Sequence, residues 1–533
     1  MKITKVTLQN FRAFNEPFEL DLDGGKNLLL HGENGSGKSS IFLGLRRFFE
    51  ELGDDIAKYK NRFANPTRES HVRLHIKGPD ATNVLYDNDV WWDDKDAHPL
   101  TIPKSPATKP ISKELRSILV DSARRAGFLD YRVLLRTNLF TGVLSRYHTG
   151  DPIHSVIYGT DSKGLEAQLF DVVTLAIVAG VRTTISGGTE TTLGTLIRKV
   201  WEKRPQYFYK WMRDEANEVA NTFNTAFNAK LPELEVKMAE FLDNFENHQL
   251  TIRFRPVTLA WDQDTRSLTG AELIPDISFR GVPVSDYHQL LNEARLSAVA
   301  TCMFLAGVHL SDNDYANPAY PRFLFLDDTL LGLELQNRLP VLRILTSDAF
   351  KHYQIFLFTH DRVWFDLACG YLTEKAGWVH KELLADEDTG HLIPRLRSSE
   401  ADLERARKHL ANGDLKAAAV YARSAFEWKL RIVCEKNGIK LPFKPDADKV
   451  GAGVLWDGIM ARQREREEQR KRGSQVPDFV PSALEGAVEI MRSTVLNKLS
   501  HSGASGLVPS EVATAIATVG NVFSHSFPKV AGP

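Results

Sequence analysis

Nine consecutive residues, His31-Gly32-Glu33-Asn34-Gly35-Ser36-Gly37-Lys38-Ser39, contain the spacing GxxxxGKS. Glycines at Gly32, Gly35 and Gly37 let backbone N–H groups wrap closely around a phosphate. A helix beginning at Lys38 adds the favourable end of its dipole. Lys38 can neutralise phosphate charge and the Ser39 hydroxyl can reach Mg2+, with Asn34 and Ser40 completing the lining. A chance glycine-rich turn would lack the context found here, an apolar strand before and a helix after.

Two further segments supply matching chemistry. Phe323-Leu324-Phe325-Leu326-Asp327-Asp328 is an apolar strand ending in carboxylates. Such a strand delivers an Asp to a phosphate-bound Mg2+, the role expected of Asp327. Asp328 is then placed to polarise an attacking water. A glutamate is usual there, and Asp is one methylene shorter, so slow hydrolysis is expected, because general-base geometry is sensitive to about an ångström. Leu357-Phe358-Thr359-His360-Asp361 ends a third strand. A lone His is commonly structural; His360 stands where ABC-type ATPases, which these segments resemble, place a His that senses the terminal phosphate. Near the C-terminus, Arg423 and Glu427 lie four apart on one helix face, the spacing of an ordinary surface ion pair. Leu496-Asn497-Lys498-Leu499-Ser500-His501 ends a later helix, where His501 is either structural or a general acid or base.

The elements that must position these groups follow from periodicity. Residues 2–31 alternate apolar and polar as half-buried strands do, and Leu28–Leu30 is fully apolar. Residues 51–110 are rich in Pro and Asp and read as irregular strands and loops. From about Gly164 to His248 the pattern is mostly helical with many charges, and too short for long coiled-coil arms. Strands return at Leu250–Phe254 and Ile277–Phe279. A helix is expected from about Leu291 to Leu310 and another near Glu334–Thr346, between the strands Phe323–Leu326 and Ile355–Phe358. This alternation predicts an α/β fold with a mainly parallel sheet. Composition shifts near 390–400. Ser398–Lys436 is helical with a turn at Gly413-Asp414, Arg462–Arg472 is dense in both charges and expected as a solvated face or loop, and helices resume from Ser482. The expected division is 1–150, 151–290 (a helical, short coiled-coil lobe), 291–395, and an all-α domain 396–533.

With 533 residues, 67 Lys+Arg and 68 Asp+Glu, net charge argues for no dedicated nucleic-acid coat. Cys302, Cys369 and Cys434 form no CxxC pair or disulfide framework. The opening MKITKVTLQNFRAF has no apolar signal region, and no run of about 18 apolar residues appears, so a soluble cytoplasmic protein with no membrane contact is expected.

The three motifs, in this order, resemble ABC-type ATPases of the SMC/RecF branch. The likeness covers roughly residues 1–380. It implies ATP and Mg2+ as cofactors, with Ser39 and Asp327 on the metal. Further pieces resemble the same branch. Leu8-Gln9-Asn10-Phe11-Arg12 is similar to its opening strand, in which the Arg approaches the nucleotide. Leu291-Asn292-Glu293-Ala294-Arg295-Leu296-Ser297 sits where the LSGGQ signature belongs, with Asn292 for Ser and Ala294 for Gly. Gly332-Leu333-Glu334 holds the D-loop position, and the Q-loop falls in Asp130–Thr137 without a clear Gln. In that branch the signature, here Asn292 and Glu293, contacts the nucleotide of the other protomer. One chain thus holds half of each site, and ATP would join a homodimer that hydrolysis separates.

The C-terminal helices, with Arg-x-x-x-Glu then Asn-x-x-x-His, resemble the HEPN fold and in particular the RNase domain of PrrC/RloC-type anticodon nucleases. The likeness implies that His501 and Glu427 move protons at the ribose 2′-OH and leaving oxygen, while Arg423 faces the phosphorane charge. Leu496 stands where that motif has Arg, and non-catalytic HEPN domains only dimerise. SMC-like heads without long arms also resemble the ATPases of anti-phage systems, including Septu, Septu-linked retrons and PARIS. Three functions stay open: a defence ATPase gating its own C-terminal RNase on RNA; a regulator of a separate effector nuclease, for example an HNH protein; and a RecF-like DNA-repair ATPase.

Overall fold

The computed structural model describes residues 1–50, 55–63, 67–78, 87–95, 98–100, 110–134, 182–184, 190–192, 196, 210–245, 249–262, 267–269, 275–284, 287–313, 321–330, 333, 335–373, 376–388, 391–396, 399–442, 451–496 and 507–528. The chain divides into two compact units, Met1–Leu396 and Arg397–Pro533.

In the first unit the described residues form a six-stranded sheet. Its order is His391–Leu396, Trp378–Asp388, Asn27–Gly32, Tyr353–Thr359, Arg322–Asp327, Gly127–Asp130. Every neighbouring pair is parallel except the edge pair formed by His391–Leu396. The inner strands read as unbroken apolar runs because both faces are covered. Leu28, Leu30, Phe323, Phe325, Phe356 and Phe358 face one core with the helix Lys38–Glu50. Leu29, Leu324, Leu326, Ile355 and Leu357 face the other, with the helices Glu293–Asn313, Leu335–Leu345 and Arg362–Tyr371. Phe325 stacks between Phe128 and Phe356, centroids 4.4 and 4.6 Å away.

A second sheet, antiparallel, has the order Phe18–Asp21, Lys2–Gln9, His71–Lys77, Asp87–Asp93. The last two strands are regular where irregular strands and loops were expected. His71–Lys77 alternates Val72, Leu74 and Ile76 inward, a signal hidden by the Pro- and Asp-rich stretches around it. Buried Gln354 ties the sheets together: its Nε2 donates to Ile3 O (2.7 Å) and its Oε1 accepts from Ile3 N (2.8 Å).

Within the expected helical lobe the described residues include a strand pair and one long helix. Arg182–Thr184 pairs antiparallel with Glu190–Thr192; β-branched Thr favours strand over helix. The helix Lys210–Leu242 forms where a helical pattern was expected. Its stripe of Ala216, Ala220, Phe223, Phe227, Leu234, Met238 and Phe241 joins the core of Glu293–Asn313. Asn224 and Asn228 clamp the passing chain at Leu259 and Val257, each through donor and acceptor. The returning strands Leu250–Phe254 and Pro275–Phe279 pair antiparallel.

The second unit contains the helices Ser399–Ala411, Leu415–Lys436, Ala452–Lys471, Ser482–Met491 and Pro509–Ser524, with a π-helical turn at Arg492–Leu496. They enclose a core of Ala418, Ala422, Phe426, Leu430, Trp456, Ile459, Val488 and Val519. The charged stretch 462–472 is not simply a solvated face. Gln463 and Arg466 are buried. Gln463 Oε1 accepts from Phe479 N and Val480 N, and Arg466 donates to Pro477 O. The chain returning at 477–480 needs those donors and acceptors, which charge density alone does not reveal. No helix among the described residues is long and apolar enough to cross a membrane.

Candidate functional site

The phosphate loop leaves the strand Asn27–Gly32 and enters the helix at Lys38. Gly35 and Gly37 have φ of +87° and +97°, which L side chains adopt at a cost. A Cβ on Gly37 would lie 2.8 Å from Pro394 Cγ, and one on Gly32 would strike Ser36 Oγ. The strand Tyr353–Thr359 lies beside this one in the sheet and Arg322–Asp327 lies next beyond it, so the histidine and acidic motifs end side by side near the loop. Lys38 is almost fully buried. Its Nζ lies 2.5 Å from Asp328 Oδ2 and 3.6 Å from Asp327 Oδ1. Asp328 Oδ1 accepts the backbone N–H of His360 at 3.0 Å. His360 Nδ1 is also 3.0 Å from Asp328 Oδ1, without the alignment of a hydrogen bond. Lys38, Ser39, Asp327, Asp328 and His360, far apart in sequence, thus converge.

Burial pushes the Asp327 carboxyl up to about 6; Lys38 opposes the shift, Asp328 and Asp130 add to it, and a hydrogen bond from Ser39 opposes it. Asp328 has φ +52°. Asp and Asn tolerate this left-handed conformation better than longer side chains do, which gives a physical reason for Asp in place of Glu.

Asp130 was not singled out by its own chemistry, only as the start of the Q-loop segment. It ends the strand beside Arg322–Asp327, in register with Asp327, and pairs with Arg46 at 3.3 Å. Next to it Tyr131 donates its hydroxyl to Glu293 Oε1 at 3.3 Å, joining the strand end at Asp130 to the helix Glu293–Asn313. Strand order, invisible in the sequence, makes these meetings. Asn292 Oδ1 accepts from Arg295 N at 3.0 Å and so caps that helix. Arg338 donates to Asp361 (2.6 Å) and to Leu333 O (2.9 Å), linking Leu333 to the His360 segment. Gly332 and Glu334 lie outside the described residues, as do 135–137 of the Q-loop segment.

A cavity of about 850 Å3 opens on the loop, lined by Glu33, Asn34, Gly35, Gly37, Lys38, Ser39, Ser40 and Asp328 on one side. Arg12, itself at φ +48°, lines it from another. Asn292 and Glu293 are not among its lining residues. A triphosphate with Mg2+ fits this chemistry. Ser36 Oγ and Asp327 Oδ1 are buried without hydrogen-bond partners, the glycines hold the loop open to a close-packed anion, and Ser39 already meets Asp327. Ser39 and Asp327 would hold the metal, and the loop N–H groups with Lys38 the phosphates.

In the second unit Arg423 Nε donates to Glu427 Oε1 at 3.0 Å, the expected i,i+4 pair. The same oxygen accepts Ala452 N at 3.2 Å, capping a helix whose N-cap residue, Gly451, has no side chain. Glu427 therefore has a structural task. Asn497 and His501 lie outside the described residues.

Residues 1–96 match the family model for an AAA ATPase domain. No curated protein matches the chain. Three similar solved structures are more distant. The Smc head domain of Pyrococcus furiosus, with an extended coiled coil and bound to the C-terminal domain of ScpA, is 12% identical, covers 76% of this chain and 99% of its own, with a TM-score of 0.36. The recombination mediator RecF with ATPrS, of the RecFOR pathway, is 13% identical, with 74% and 97% covered and a TM-score of 0.39. The SMC head domain from Thermotoga maritima is 13% identical, with 75% and 100% covered and a TM-score of 0.32. At that distance the phosphate-site geometry, and not the likeness, says what this chain can bind.

Proposed function

We propose that the chain is an SMC/RecF-like ABC-type ATPase that binds and slowly hydrolyses ATP, pairs as a homodimer through nucleotide held between two heads, and serves a prokaryotic antiviral defence system by gating a nuclease. The observation that carries the ATPase part is the convergence of Lys38, Ser39, Asp327, Asp328 and His360 at one glycine-built loop. Bound Mg2+ would supply charge neutralisation for the phosphates. The protein's own groups would grip them through Lys38, orient water through Asp328, and hold Asp328 in place through the His360 N–H. The defence role is supported by the layout, a head followed by a separate helical unit, and by the motif likeness of that unit to anticodon nucleases. In this reading Arg423, Glu427 and His501 cut RNA when ATP closes the heads.

The helix-capping bond of Glu427 favours a second reading, in which the helical unit is a scaffold and a separate effector, such as an HNH protein, does the cutting. A denaturing gel of total tRNA incubated with the full chain and Mg·ATP decides between them. Fragments from wild type, lost in both His501→Ala and Lys38→Ala, support the intrinsic nuclease. No fragments from a chain that binds ATP normally support the separate effector.

A further inference from the structure

The residue before the first glycine of the phosphate loop is a histidine that the site described above does not use. His31 lies on the strand Asn27–Gly32, opposite Thr359 on one side and Glu382 on the other. Leu28, Leu29 and Leu30 before it are apolar because that strand is covered on both faces, and burial alone would ask for an apolar side chain at 31 as well. The His31 ring is only 5% exposed, and neither of its nitrogens has a hydrogen-bond partner among the described residues. A buried donor and acceptor left unpaired cost stability, and such groups are rare in folded chains.

The ring sits against the helix that follows His360. Its centroid is 5.3 Å from that of Phe365. The Arg362 guanidinium lies 5.5 Å from the Phe365 centroid and pairs with Asp366 at 3.0 Å and with Glu382. Burial, and then Arg362, hold His31 below the usual histidine pKa; Glu382, the His360 carbonyl and Asp366 oppose them. The ring is therefore neutral at pH 7, with one N–H to donate. The His360 carbonyl is near enough to favour a charged ring but is not aligned to accept from it. The other end of His360 is already held, its N–H donating to Asp328 Oδ1 at 3.0 Å. The strand ends at Thr359, and backbone groups beyond a ladder need partners from elsewhere.

Resting on the ATPase reading above, we infer that His31 is a positioning residue for His360, its N–H closing on the His360 carbonyl when a bound triphosphate draws His360 toward it. Asp328 and His31 then grip one residue by its N–H and by its C=O. The bond recovers what the unpaired ring costs. His31 is not among the residues lining the phosphate-loop cavity, so it acts on turnover and not on nucleotide binding.

The test is phosphate release by the full chain with Mg·ATP, read beside the melting temperature of each variant. His31→Phe keeps a ring against Phe365 and removes both nitrogens. Turnover should fall roughly 2- to 12-fold, the contribution of one neutral hydrogen bond, with KM for ATP unchanged. The melting temperature should equal or exceed that of wild type, because no unpaired nitrogen remains. Of His31→Asn and His31→Gln, whose amides offer an N–H near the place of Nδ1 or of Nε2, one should restore turnover. A histidine kept only for structure behaves in the opposite way, so a lower melting temperature in His31→Phe overturns the inference. Unchanged turnover, a raised KM, or failure of both amides to restore turnover overturns it too. Wild type that releases no more phosphate than Lys38→Ala overturns the ATPase reading itself, and the inference with it, whatever His31 does.

Discussion

Replacing Asp328 with asparagine separates two tasks held by one carboxylate. Its Oδ2 engages Lys38 Nζ at 2.5 Å, and its Oδ1 accepts the His360 N–H at 3.0 Å. The lysine and aspartate side chains are 4% and 15% exposed, so solvent screens their attraction little. Asparagine keeps the shape, still accepts from His360, and tolerates φ +52° as aspartate does. What is lost is the charge and, in place of Oδ2, the acceptor that faces Lys38. A triphosphate competes with Asp328 for the Lys38 ammonium, and a hydrogen bond to a charged group contributes roughly 1.5–3 kcal/mol. ATP should therefore bind roughly 10- to 150-fold more tightly to Asp328→Asn. Hydrolysis should fall by about 10²- to 10⁴-fold, the contribution of a positioned general base. Without nucleotide the variant should melt earlier than wild type, because Lys38 keeps only Asp327 at 3.6 Å. Titration with a fluorescent ATP analogue gives the first quantity, phosphate release the second. Unchanged or weaker affinity, or hydrolysis at the wild-type rate, would refute the assignment of Asp328.

Three other outcomes follow from the same geometry. Asp327, raised to about 6, must be ionised to take Mg2+. Its folded pKa exceeds its unfolded one, so its own contribution to stability is present below about pH 4 and is lost as pH rises through about 6. Mg·ATP affinity runs the other way, level above about pH 6 and falling about tenfold per unit below it; a flat profile from pH 5 to 8 would contradict this. Tyr131→Phe removes the hydroxyl bond to Glu293 and should lower the turnover number while leaving ATP affinity unchanged, so a loss of affinity instead would assign Tyr131 to nucleotide binding. Glu427→Ala deletes the partner of Arg423 and the acceptor of Ala452 N, and should cost the helical unit roughly 1–2 kcal/mol in a denaturant melt, whereas Glu427→Gln keeps an acceptor and should cost less. Equal stability of the two variants would remove the structural explanation of Glu427.

The phosphate loop and the strand Phe323–Leu326 were legible because their residue types are forced. Only glycine serves at Gly35 and Gly37, and a strand covered on both faces admits no polar interruption. The strands Lys2–Gln9 and Leu250–Phe254 were legible from alternation. Other features needed three dimensions. Asp130 meets Asp327 only because two strands distant in sequence lie side by side in register. The left-handed backbone at Asp328 leaves no mark in composition, and the buried face of 462–472 depends on a later segment. The cavity wall at Lys58–Phe63 fell inside a stretch that reads as loop, where nothing in the sequence marks its place beside the phosphate loop.

The most direct test of the central claim is sedimentation velocity of the full chain with and without Mg·ATP, wild type beside Lys38→Ala and Asp328→Asn. Wild type should move from the mass of one 59.9 kDa chain toward about twice that on adding ATP. Asp328→Asn should hold the larger species longest, and Lys38→Ala should not respond. A wild-type chain whose assembly is indifferent to ATP, or a Lys38→Ala chain that closes with it, would contradict the account.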